Sequence, residues 1–195
     1  MQQLSASELF KLEDYVQQRP EFRKRVMLHK AARRIALGEH LSLYFEDRLT
    51  VQYQVQEMLR IERIFEPGAI AEELAVYNPL IPDGCNWKAT CMIEYSDESE
   101  RRKQLKRLLG IENQIWIQID QHRRVYAIAD EDLQRADGEK TSAVHFLRFE
   151  LTRGMIDDLH QHGEIFMGVN HKHYNHQIGP LEPDSHLSLR NDIQS

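Results

Sequence analysis

Five of the ten histidines fall between residues 160 and 176: His160, His162, His171, His173 and His176. Imidazole is the commonest protein metal ligand and titrates near neutral pH, so this crowding is the strongest chemical signal in the chain. If residues 169–173 are extended, His171 and His173 point to one side, and a turn can bring His176 back beside them. The three then form a candidate site for a divalent metal such as zinc or iron. The spacing differs from HExxH and no carboxylate is fixed next to it, so a surface or structural role competes with that reading. His160 and His162 have a simpler explanation, because imidazolium is favoured at the negative end of the helix they close.

A second group of chemistry-bearing residues lies in the middle of the chain. Glu57, Arg60, Glu62 and Arg63 can form a ligand pocket, with a carboxylate as acid/base and an arginine as anion clamp. The plainer alternative is an ion-pair network between helix and sheet, since Glu57 and Arg60 stand at i,i+3. His145 is a further candidate, as ligand or proton shuttle, although strand alternation places it opposite Arg148 and Glu150 and so toward a core. Walker loops, GxGxxG, GxSxG, kinase motifs and paired ExxH helices are all missing from the sequence.

The elements that must position these residues change character along the chain. Residues 1–78 read as a helical region. Ser5 or Ser7 can cap a helix running to Arg19-Pro20, where the residue before proline resists the α conformation. Pro20 then starts a second helix carrying Phe22, Val26, Ala32 and Ile35, with Gly38 as its stop. A short strand is expected at Leu41 to Phe45 and a long helix at Asp47 to Phe65, apolar along Val51, Val55, Met58 and Phe65. Arg48 and Glu62 project into that apolar side and are expected to be buried and paired to other elements, with His29, Tyr77, Asn78 and Arg148 as neighbours. A shorter helix covers Ala69 to Val76.

Residues 79–180 read as a mainly antiparallel α+β region. Strands are predicted at Trp87 to Tyr95, Ile115 to Ile119, Val125 to Ile128, Val144 to Leu151, Glu164 to Val169 and Tyr174 to Ile178. Helices are predicted at Asp97 to Leu109 and Met155 to His160, the latter capped by Thr152. Residues 181–195 are polar and aperiodic, and a loose tail is expected. The fold class is therefore α+β: a helical N-terminal half packed on a largely antiparallel sheet with two further helices, forming one compact unit.

Composition narrows the function classes. Of 195 residues, 41% are hydrophobic and 29% charged, as in a well-cored globular protein. The net charge of −6 and the lack of aromatics interleaved with the basic runs argue against nucleic acid as a partner. No apolar run approaches the roughly 20 residues of a membrane span, and the N-terminus lacks the pattern of a signal peptide, so cytoplasmic residence is expected. Cys85 and Cys91, about 20 Å apart if one strand carries both, are too far apart to pair and read as reduced, buried thiols.

Several segments together resemble the bacterial family catalogued as domain of unknown function 3501. They are Phe45-Glu46-Asp47-Arg48-Leu49-Thr50, Gln54 to Ile64, Tyr77-Asn78-Pro79-Leu80-Ile81-Pro82, Asn86-Trp87-Lys88-Ala89-Thr90, and Thr141 to Leu151. The resemblance runs to about Ile178. His171 and His176 match the family's pattern, whereas His173 is particular to this chain. The family carries no established activity. The resemblance implies a setting, beside genes for rubrerythrin-like proteins and cysteine-rich iron–sulfur subunits. The expectation is an accessory or binding protein of a redox or peroxide-stress pathway, docking with an iron–sulfur or rubrerythrin-type partner. The alternative is a metal-dependent or acid/base enzyme with a site between the central helix and the sheet, which requires Glu57, Glu62, Arg60, Arg63 and the histidines to converge on one cavity.

Overall fold

A computed structural model of the chain describes residues 2–131 and 138–194. Among them the order is α1 (Leu12–Ala31), β1 (Arg34–Ala36), β2 (Leu41–Phe45), α2 (Arg48–Glu62), α3 (Pro67–Tyr77), β3 (Asn86–Ile93), α4 (Glu98–Arg107), β4 (Ile115–Ile119), β5 (Val125–Tyr126), β6 (Ile128–Ala129), β7 (Val144–Glu150), α5 (Arg153–His160), β8 (Ile165–His171), β9 (Tyr174–Ile178) and α6 (Pro183–Arg190). The fold is α+β. No helix among the described residues is long and apolar enough to cross a membrane.

The strands form two antiparallel sheets instead of the single one expected. One has the order β1-β2-β3-β7-β6 and the other β5-β4-β8-β9. The chain switches sheets at Ala127: β5 pairs with β4, while β6, one residue later, pairs with β7. Val125 to Ile128 is thus divided between the sheets. Period-2 alternation reports which face a residue takes and is blind to which sheet its strand joins. The inner faces share one core, with Leu43, Trp87, Leu147 and Phe149 meeting Ile115, Ile117, Met167 and Val169.

The helical half has its own packing. Tyr15, Phe22 and Val26 of α1 are buried with Leu49 and Tyr53 of α2 against them. Val51, Val55 and Leu59 on the other flank of α2 meet Leu74 of α3, Leu4 and Ile81. Pro20 does not break α1, contrary to expectation. It lies on the exposed side of the helix, as does Val16 four residues earlier. The carbonyl that loses its backbone donor there faces water, which lowers the cost of an interior proline. The helix ends at Ala31, so Ile35 belongs to β1 and Gly38 makes the β1–β2 turn at φ +78°. A side chain at Gly38 would also meet Tyr174 Oη at 2.6 Å.

The tail is not loose. Leu189 and Ile193 are buried, Trp87 Nε1 donates to the Leu189 carbonyl at 2.9 Å, and Gln194 N donates to the Gly84 carbonyl. Asp192 pairs at 2.5 Å with Arg33, whose guanidinium also donates to the Phe45 and Glu46 carbonyls. Two apolar anchors and one buried carboxylate hold α6 down, too few to produce a periodic signal. Cys91 is buried as expected, but Cys85 is exposed.

Candidate functional site

The polar residues of α2 serve two separate surfaces. Glu57 faces α1, where its carboxylate accepts from Tyr15 Oη at 2.7 Å, from Arg19 Nε and Nη2 at 2.8 Å each, and from Arg60 Nη2 at 3.3 Å. Arg19's hydrogen bonds, more than the opposing effect of burial, pull its pKa from an ordinary 4.5 to about 2. A carboxylate held there is a poor proton acceptor at neutral pH. Burial and Glu57 push the Tyr15 phenol up correspondingly. This is a clamp between helices.

Glu62 and Arg63 lie beyond it at the exposed end of α2, with Arg63 left-handed (φ 56°) as the helix's last cap. The expectation that Arg48 and Glu62 are buried therefore fails. Arg48 is partly exposed and pairs with Glu8. The buried stripe of α2 runs through Val51, Val55, Gln56 and Leu59, rotated toward Gln56 from the predicted one. Gln56 is fully buried because its amide exchanges bonds with the Phe10 backbone, receiving Phe10 N at 2.6 Å. A polar residue satisfied by backbone is invisible to a hydrophobic pattern.

His145 is fully enclosed between the sheets. Its Nδ1 lies 2.6 Å from Asp130 Oδ2, and its Nε2 lies 2.8 Å from Thr141 Oγ1 and 3.1 Å from the Ser142 carbonyl. The Thr141 hydroxyl also lies 3.0 Å from Glu112 Oε2, so it links the imidazole to a second carboxylate. Cys91 sits opposite His145 in the β3–β7 register, and burial, helped by Asp130 and Glu112, pushes its thiol far up. The cluster is a satisfied polar core.

The predicted metal ligands are also not assembled. His171 ends β8, Lys172 and His173 form the turn, and Tyr174 begins β9. His173 therefore sits at the exposed tip instead of continuing the strand, and its backbone N–H donates to His171 Nδ1 at 3.3 Å. His176 pairs with Val169 and lies against the Tyr174 ring. Burial lowers the pKa of His171. Among the described residues no three His, Cys, Asp or Glu side chains are grouped to hold a metal ion. The acid/base site predicted from Glu57, Arg60, Glu62, Arg63 and His145 is likewise not formed, since they occupy an α1-facing clamp, an exposed helix end and the sheet interior.

A different site does lie between the helical half and the five-stranded sheet. A cleft of about 590 Å³ has Ala75, Val76, Pro79 and Leu80 on one side, and Lys88, Phe146 and Arg148 on the other, with Glu131 at its border and Glu46 as its most buried charge. Its size falls within the range of ligand pockets, and its lining mixes apolar surface with a few polar groups.

Local sequence explains the position of each group. Glu46 N extends the β2–β3 ladder by donating to the Lys88 carbonyl, and Asp47 caps α2 by accepting from Thr50 N. This turn directs the Glu46 carboxylate to three neutral donors: Thr50 Oγ1 at 2.6 Å, Gln54 Nε2 at 2.9 Å and Thr90 Oγ1 at 2.8 Å. Lys88 Nζ donates to the Pro79 and Ile81 carbonyls, which fixes the wall after α3, and burial lowers its pKa. Arg148 is gripped by Glu131 at 2.7 Å through two nitrogens and by Glu150.

Glu46, Lys88 and the cleft itself were not candidates from sequence. A signal was nonetheless present: four of the five segments on which the family resemblance rests supply its walls, through Glu46, Pro79 and Leu80, Lys88, and Phe146 with Arg148.

Residues 3–193 match the model of a family described as protein of unknown function, DUF3501. A crystal structure at 1.90 Å of a novel protein of unknown function from Burkholderia pseudomallei K96243 is similar at 46% identity and a TM-score of 0.94, covering 99% of this chain and 100% of that one. A search of the curated proteins finds no match.

Proposed function

The chain belongs to the DUF3501 family, and from that premise we propose that it is a binding protein that docks with a partner through the cleft over the five-stranded sheet. The observation that carries this reading is the cleft: apolar walls from α3 and β7 close around a carboxylate that is 4% exposed. The titratable residues expected to do chemistry do not converge on this cleft: Glu57 and Arg60 are held in the α1–α2 clamp, His145 is buried between the sheets, and Glu62, Arg63 and His173 stand exposed elsewhere, which favours binding over catalysis. The partner in this proposal is an iron–sulfur or rubrerythrin-type protein of a redox or peroxide-stress pathway, the setting that the family resemblance implies.

The test is affinity capture from the native host with the unaltered chain and with Val76→Arg. Val76 is 69% exposed and lines the cleft, so arginine there obstructs the seat and leaves the core alone. The unaltered chain is expected to recover an iron–sulfur or rubrerythrin-type protein, and Val76→Arg to lose it. Recovery of no such protein, or equal recovery by both chains, overturns the proposal.

A further inference from the structure

We infer that the group entering this cleft is a primary ammonium on an apolar stem, the side chain of a lysine presented by the protein partner, with Glu46 as its counter-ion. The inference rests on the reading of the cleft as a docking seat and goes beyond it by naming what is recognised.

Charge and lone pairs carry the argument. Glu46 is 4% exposed, yet its carboxylate receives hydrogen bonds from two hydroxyls and an amide, all neutral. Buried charges are ordinarily paired, and none of the ion pairs among the described residues includes Glu46. The positive end of α2 lies nearby, but its cap is already the carboxylate of Asp47. The cations of the cleft are committed elsewhere, Lys88 to two carbonyls and Arg148 to Glu131 and Glu150. The cleft therefore carries an excess of negative charge at its most buried point.

Acceptor geometry selects the cation. A carboxylate offers about four acceptor positions. Thr50 and Gln54 occupy Oε2 and Thr90 occupies one position on Oε1, which leaves a single site on Oε1. A guanidinium binds a carboxylate best through two parallel bonds, which this arrangement denies, whereas an ammonium can pair with it through a single bond and leave its other two N–H groups to other acceptors. The methylene stem of a lysine suits the apolar walls of Val76, Leu80 and Phe146.

The experiment titrates the full chain with acetyl-Leu-X-Leu-amide peptides in which X is lysine, norleucine or arginine, and with hexylammonium alone, by calorimetry. The lysine peptide is expected to bind at least ten-fold tighter than the other two peptides and than hexylammonium. Glu46→Gln is expected to reduce lysine binding to the norleucine level, and Val76→Trp to weaken all three peptides. Equal binding of lysine and norleucine overturns the inference, as does a lysine affinity unchanged in Glu46→Gln. Hexylammonium binding as tightly as the lysine peptide overturns the assignment to a partner's side chain. The peptide comparison uses the unaltered chain and stands without the Glu46 variant. If norleucine binds, Val76→Trp blocks it and lysine adds nothing, the cleft reading survives and the ammonium does not. If no peptide binds, both fall.

Discussion

Replacing Glu57 by glutamine unlocks the clamp between α1 and α2, and its cost follows from the carboxylate's surroundings. The folded-state pKa of about 2 lies below the ordinary 4.5, which corresponds to roughly 3 kcal/mol of stability at neutral pH. Arg19 is about one-third exposed and rehydrates when released, so about 2–3 kcal/mol is expected, or about 5–10 °C in Tm for a chain of this size. Because the folded pKa is depressed, the contribution is present above the unfolded value of 4.5 and is lost as pH falls toward 2. The gap between the parent and Glu57→Gln should be constant from pH 7 to 5, narrow below 4.5 and halve at about pH 3. Urea unfolding at a series of pH values measures it. A gap below 0.5 kcal/mol at pH 7, or one that does not change down to pH 3, refutes the clamp.

Asp192→Ala should cost about 3 kcal/mol in urea unfolding, the lower end for a broken buried pair, because Arg33 keeps Asp47 at 3.5 Å and two carbonyls. The same substitution should expose the α6 region to proteolysis ahead of the core. His145→Ala should destabilise by about 3–5 kcal/mol, since it leaves the Asp130 and Glu112 carboxylates without the imidazole between them. It should leave partner capture intact once the chain is folded. Elemental analysis of untagged protein should find zinc and iron well below one equivalent, unchanged in His171→Ala; a stoichiometric metal lost in that variant would restore the histidine site.

Periodicity located most elements because burial of one face is a local property. The alternation of β7, the cap at Thr152 and the helix α4 all follow from neighbouring residues. Ala127 shows the limit: two strands separated by one residue join different sheets, and pairing partners distant in sequence decide that. Gln56 and Asp192 show a second limit, since each is a polar residue buried on account of one distant partner, the Phe10 backbone and Arg33 respectively. The candidate site failed in sequence for the same reason. Glu57 and Arg60 looked reactive by type, but Tyr15 and Arg19, some 40 positions away, decide that they form a clamp. Nothing local distinguishes Glu46 from its neighbour Asp47, yet three donors from two elements make it the buried charge of the cleft.

The most direct test of the docking claim is hydrogen–deuterium exchange of the full chain, alone and with the iron–sulfur or rubrerythrin-type protein recovered by capture. Binding at the cleft predicts slowed exchange at residues 75–81 and 146–148, with α1 and the 171–176 hairpin unchanged. Protection confined to the hairpin or to the α1 surface, with residues 75–81 unaffected, contradicts it.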